Sequence, residues 1–164
     1  MQKEYIYIFL ISMIPLIELR GAIPAAQAFH ELDNSFSMPM AYVISVVGNM
    51  LPVPVIFFFA RKGLEWGADK PVIGGFFRFC LEKGNKGGEK LKSKAGRGLY
   101  IALLLFVGIP LPGTGAWTGT LAASILDMDF KKSTVAVMGG VLLAGVIMAT
   151  VSLLVAGGIG AIGG

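Results

Sequence analysis

The chain has 164 residues, 55% of them apolar and 15% charged, with a mean hydropathy of +0.74: room for one domain, and too few polar side chains to coat a soluble one. One cysteine, Cys80, and one histidine, His30, exclude a disulfide framework, a zinc cluster and a catalytic triad, so no metal, no cofactor and no enzymatic chemistry is expected. The net charge of +4 does not read as nucleic-acid affinity, because ten of the fourteen Lys/Arg residues fall between Arg61 and Arg97 in a block without the regular aromatic-basic alternation of a nucleic-acid platform, the pattern of a cytoplasmic loop beside anionic headgroups.

Pro39–Ala60, Gly98–Leu126 and Ser133–Gly164 carry no Asp, Glu, Lys or Arg, and each exceeds the roughly 20 helical residues that cross about 30 Å of hydrocarbon. In chain order, residues 5–29 form an apolar but broken segment. Tyr5–Ile14 is long enough for about half a bilayer, then come Pro15, the polar stretch Glu18-Leu19-Arg20-Gly21, and a second short apolar piece containing Pro24. Glu18 and Arg20 stand where a signal peptide would need a small-residue cleavage site, so a cleaved signal is disfavoured. The loop 30–37 is acidic, and residues 38–60 read as a full span that Pro52 and Pro54 kink. The basic linker 61–97 holds Val72, Ile73, Phe76, Phe77 and Cys80 at helical spacing. Either a short helix on the membrane surface or a loop with a few buried aromatics satisfies that pattern. Residues 99–126 repeat the broken shape, interrupted by Pro110-Leu111-Pro112-Gly113-Thr114-Gly115, and residues 134–162 form an unbroken span.

The order of broken segment then full span occurs twice, in 1–60 and in 98–164, within one membrane domain of 1–164. If both broken segments are re-entrant, each half crosses once and the halves are inverted. Lys131 and Lys132 then join the basic linker inside, and loop 30–37 stays outside. The positive-inside rule favours this over four full spans. The expected fold is thus all-α and integral to the cell membrane: two inverted repeats, each a re-entrant hairpin followed by a transmembrane helix, with an amphipathic cytoplasmic segment between them. Two spans make a thin wall around two hairpins, so a homodimer is expected.

Re-entrant turns leave backbone groups that lipid cannot satisfy, so two of them should meet near the midplane. Glu18 and Arg20 are the only charges within the apolar segments. Placing either in mid-bilayer costs roughly 2.5–3.5 kcal/mol, which argues for a role in substrate binding or ion coupling. In an unwound tip beside Gly21 both could face one cavity, Arg20 offering a planar donor fork to an anion and Glu18 orienting it or carrying a proton. The competing reading is an ion pair that staples the tip. In the second break, Gly113 and Gly115 permit close backbone approach, Thr114 could cap the helix restarting at Ala116, and Thr114 and Thr118 add hydroxyls. Asn49, mid-span, either lines the path or bonds another helix. Pro15, Pro24, Pro110 and Pro112 are the expected helix breaks. Trp117 reads as an anchor or packing residue rather than a cargo contact.

Two motifs in this order, Pro15-Leu16-Ile17-Glu18-Leu19-Arg20-Gly21-Ala22-Ile23-Pro24 and Pro110-Leu111-Pro112-Gly113-Thr114-Gly115-Ala116-Trp117, resemble the prokaryotic small multidrug export protein family. That family is distantly similar to the DedA/VTT superfamily, whose resemblance implies paired re-entrant hairpins and movement of polyprenyl phosphate or other lipids, often proton-coupled. By that similarity Glu18 matches an acidic residue of the first hairpin, whereas the arginines of the superfamily's second hairpin have no counterpart in Ile109–Thr118. The leading expectation is a transporter or flippase for a lipid-linked or amphiphilic anion, coupled to protons or sodium, with the bilayer and that small molecule as partners. The alternatives are a proton-coupled exporter of drug-like molecules, against which Arg20 counts if the cargo is cationic, and a membrane scaffold or assembly factor.

Overall fold

A computed structural model describes residues 2–15, 17–71, 74, 75, 78, 82, 97–111 and 113–162. Leu16, Pro112 and most of the expected amphipathic segment, including Val72, Ile73, Phe76, Phe77 and Cys80, lie outside the described residues. The elements named here are all helical: α1 (Gln2–Met13), α2 (Glu18–Leu32), α3 (Met38–Met50), α4 (Pro52–Ala68), α5 (Arg97–Gly108), α6 (Ala116–Ile125) and α7 (Phe130–Ile162).

The first apolar segment breaks where Pro15 predicts. Between α1 and α2 the chain turns at Ile14, Pro15 and Ile17, and Glu18 begins α2 with a left-handed φ of 49°. Two expectations are corrected here. Glu18 and Arg20 occupy the first turn of α2 rather than an unwound tip, and Pro24 sits inside α2 rather than breaking it. Pro24 forfeits one helical hydrogen bond, but Leu19, Ala22, Ile23 and Ala26 on the other side of the helix are buried, and that packing carries the helix through.

Pro52 and Pro54, expected to kink the second segment without ending it, stand at the join of α3 and α4. Leu51 keeps helical angles and donates its N–H to the Val47 carbonyl at 3.1 Å, so α3 and α4 join into one 31-residue apolar helix, Met38–Ala68. Pro52 and Pro54 supply no N–H to the Gly48 and Met50 carbonyls four residues back, and a turn at Leu51 marks the join between α3 and α4. This helix runs past the expected end at residue 60, and α7 begins at Phe130, ahead of the expected 134, taking Lys131 and Lys132 into its first turn. These two helices are the ones long and apolar enough to cross a membrane among the described residues, and only 28% of each apolar window is buried. The core helix of a soluble protein would be mostly buried. Instead Phe58, Phe59, Val135 and Leu154 point outward, an apolar exterior suited to lipid.

The helices pack around two clusters. Leu19 and Ile23 of α2, Val53 of α4, Leu103 and Val107 of α5, Ala116 and Ala123 of α6, and Val137 and Val141 of α7 form the larger. Ile8, Ala22, Ala26, Phe36 and Ala41 form the smaller, tying α1 to α2 and α3. At one end of the molecule the start of α1, the end of α2 and the approach to α3 converge. Tyr5 stacks on Phe36 with centroids 4.6 Å apart, Phe29 lies 5.9 Å from Phe36, and the Ser37 N–H donates to the Tyr5 hydroxyl. Elsewhere the start of α5, the end of α6 and the start of α7 gather, with Leu99 beside Leu126 and Met128, and the Lys132 ammonium 5.9 Å from the Tyr100 ring centre. Phe57 and Phe58 of α4 pack on Phe130, so the long Met38–Ala68 helix connects the two gatherings.

Candidate functional site

The two breaks meet. The second runs from Ile109 to Gly115, with left-handed Gly113 (φ 81°) and Gly115 (φ 138°) turning the chain into α6. A helix start leaves its first N–H groups without intrahelical partners. For α6 the partner comes from the other half of the chain: the Ala116 N–H donates to one Glu18 carboxylate oxygen and the Trp117 N–H to the other, each at 3.0 Å. Glu18 is 4% exposed, and its carboxylate sits at the positive end of α6. Its left-handed backbone costs about 1–2 kcal/mol for a non-glycine residue, strain that these bonds offset. Thr114 is therefore not the cap that its position suggests. Gly115 is the N-cap residue and makes no side-chain capping bond.

Arg20 crosses the same gap. Its guanidinium donates to the Leu111 carbonyl and, at 2.6 Å, to the Thr114 hydroxyl oxygen. Thr114 in turn donates from that hydroxyl to the Ile109 or Leu111 carbonyl, both 2.9 Å away. Among the described residues Glu18 and Arg20 form no ion pair with each other, so the stapled pair is corrected to two separate reaches into the second break. Trp117 closes the junction from the other side. Its indole N–H donates to the Met13 carbonyl at 3.2 Å, covering one of the free carbonyls at the end of α1. Each break thus satisfies backbone groups that the other exposes.

Four expected residues, Glu18, Arg20, Thr114 and Gly115, share this junction. A Cβ on Gly115 would fall on the Glu18 carboxylate, so glycine is required there by space as well as by φ. Gly113 lies exposed in the same turn with nothing near its missing side chain. Gly21 follows within α2, where a side chain would collide with Ile17. Thr118 turns its hydroxyl back to the Gly115 carbonyl at 3.4 Å, a contact within α6 rather than across the gap. Pro15 and Pro110 occupy the breaks as expected. Asn49 is buried on α3 with its Oδ1 unpartnered, and among the described residues no hydrogen bond joins it to Glu18, Arg20 or the second break.

Sequence reasoning named Trp117 as an anchor or packing residue without its partner, and missed Leu111 and Met13. Those two contribute only backbone carbonyls, which leave no mark in residue type. Trp117 left one signal: an indole one residue past a helix start, beside a break with open hydrogen-bonding groups, has a donor to place.

No curated protein and no solved structure matches the chain. A family model described as "Putative small multi-drug export protein" matches residues 18–147 of the 164, from the first residue of α2 to the middle of α7 and so across the whole Glu18–Trp117 junction. The chain belongs to this family of small multi-drug export proteins, and with its two long apolar helices it is a membrane transporter.

Proposed function

We propose that the protein moves an amphiphilic anion, such as a polyprenyl phosphate, across the bilayer by letting the anionic headgroup take the place of the Glu18 carboxylate at the start of α6. The observation that carries this reading is that the first two N–H groups of α6, those of Ala116 and Trp117, already hold an anion, the chain's own carboxylate. Backbone donors at a helix start bind phosphate for the same reason they bind Glu18. Arg20 supplies the second half of the site. Its partners, the Leu111 carbonyl and the Thr114 hydroxyl, are neutral, so its charge is available to an anion that offers stronger, charge-assisted bonds. In this way Arg20 serves the second break in place of the arginines that segment lacks. Protonating Glu18 weakens its hold on α6 and frees the donors, which couples cargo entry to a proton.

In this reading both broken segments are re-entrant, entering from opposite faces and meeting between them. Their helices are short: α1 and α5 have 12 residues each, α2 has 15 and α6 has 10, about 15–22 Å against roughly 30 Å of hydrocarbon. Support comes also from the convergence of the α1 start with the α2 end, and of the α5 start with the α6 end. Lys131, Lys132 and the basic 61–97 stretch then face the cytoplasm, and a second copy of the chain completes the wall. Glu18, Arg20, Gly113, Thr114 and Gly115 form the binding site, with Gly21 and Thr118 packing it. The family description points to export of drug-like molecules, and Arg20, whose direct hydrogen-bond partners are neutral, favours anionic over cationic ones.

The test is reconstitution in liposomes carrying a fluorescent polyprenyl phosphate, comparing the wild type with Glu18→Gln and Arg20→Ala, each first checked for helical content. Transbilayer movement should be lost in Arg20→Ala and should lose its dependence on a proton gradient in Glu18→Gln. Movement at the wild-type rate in folded Arg20→Ala, or movement that still follows the proton gradient in folded Glu18→Gln, refutes the exchange mechanism.

A further inference from the structure

A groove of about 420 Å³, well away from the Glu18–Arg20 junction, runs between α5 and α7 and is lined by Tyr100, Ile101, Leu104, Lys131, Lys132 and Val135, with Ala136 at its floor. We propose that it is a specific site for an anionic phospholipid, with the phosphate held by Lys131 and Lys132 and an acyl chain lying on Ile101, Leu104 and Val135. The groove is an amphiphile's shape in negative. Its walls are apolar, and its cations gather at one mouth.

Helix energetics alone does not account for those cations. Lys131 and Lys132 stand in the first turn of α7, where the positive end of the helix dipole disfavours positive charge. Asp129 lies beside them, but its Oδ1 accepts the Lys132 backbone N–H at 2.9 Å and caps the helix. Both lysine side chains are exposed, and the Lys132 ammonium leans over the Tyr100 ring at the groove mouth, 5.9 Å from its centre. An anionic headgroup offsets this concentration of positive charge. The apolar lining spans Tyr100 to Leu104 on α5 and Lys132 to Ala136 on α7, about one helical turn or 6 Å on each side, which fits the upper methylenes of an acyl chain. Val135, 73% exposed, and Ile101, 59% exposed, leave the groove open sideways, so a lipid enters from the bilayer without passing through the protein. This rests on the groove alone and not on the identity of the cargo.

The test is native mass spectrometry of the full chain released from nanodiscs of phosphatidylcholine containing a minor fraction of phosphatidylglycerol. Wild type should retain one phosphatidylglycerol per chain in preference to phosphatidylcholine. Lys131→Gln/Lys132→Gln should lower that retention about thirtyfold, from roughly fivefold per lysine near an anionic surface. Ile101→Trp fills the groove from its exposed side and should displace the lipid while both lysines stay in place. Equal retention of the two lipids overturns the proposal, as does a folded double-lysine variant that keeps phosphatidylglycerol like the wild type. Competition by inorganic phosphate as strong as by the lipid also overturns it, because the acyl groove would then contribute nothing.

Discussion

Replacing Glu18 tests the junction most directly. The carboxylate accepts two charge-assisted bonds, from the buried Ala116 N–H and the half-buried Trp117 N–H, at 3.0 Å each. Bonds of that kind contribute about 1.5–3 kcal/mol apiece, and each donor left unpaired in a buried site costs a comparable amount. Glu18→Gln keeps the shape and one acceptor oxygen, but it turns an amide NH₂ toward the second N–H, so about one bond and the favourable charge at the helix start are lost. The expected destabilisation is about 3 kcal/mol. At roughly 2–4 °C per kcal/mol for a chain of this size, the thermal midpoint should fall by about 6–12 °C. Glu18→Asp is not a milder change, because removing one methylene draws the carboxylate back by about 1.5 Å, beyond hydrogen-bonding reach of both donors. The assay is thermal unfolding in detergent followed by tryptophan fluorescence in a Trp66→Phe background, since Trp66 is 65% exposed and Trp117 lies in the junction itself. Loss of the Glu18 bonds should also shift Trp117 emission to the red at low temperature. A midpoint within 1 °C of the parent, together with unchanged emission, would show that Glu18 does not hold α6, and the reasoning here would fail.

Other consequences can be measured in the same background. Gly115→Ala should be far worse than Gly113→Ala although both residues are left-handed: the first adds a collision with Glu18 to the backbone strain and should cost more than about 3 kcal/mol, the second about 1 kcal/mol. Equal midpoints for the two variants would contradict this. Arg20→Lys should lose about 1–2 kcal/mol and Arg20→Ala more, because a lysine cannot span both the Leu111 carbonyl and the Thr114 hydroxyl; a double-mutant cycle with Thr114→Val measures the coupling. In the loop before α3, the Ser35 N–H and hydroxyl donate to the Asp33 carboxylate at 2.9 and 2.6 Å and hold it below its ordinary 3.8. A depressed carboxylate contributes stability that is fully present above 3.8 and lost as pH falls through the lowered value. Protection of the Ser35 amide from exchange should therefore be the same at pH 7 and pH 5 and decline only in stronger acid; a decline between pH 7 and 5 would contradict this.

What the sequence alone determined was the environment and the places where helices fail. Long uncharged runs and a shortage of polar side chains already demand lipid, and Pro15 and the Pro110–Gly115 stretch already mark breaks, because proline and glycine act on the backbone locally. Glu18 and Arg20 stood out for the same local reason, as charges in an apolar segment. Tertiary structure decided what those features do. Pro24 looked like a break and is not one, because burial of Leu19, Ile23 and Ala26 outweighs a single lost hydrogen bond. Thr114 looked like a cap, but a carboxylate from the other half of the chain fills that place, and no local pattern records a partner 98 residues away. Leu111 and Met13 contribute only carbonyl oxygens, which every residue has, so their part in the junction follows from position and not from side-chain chemistry.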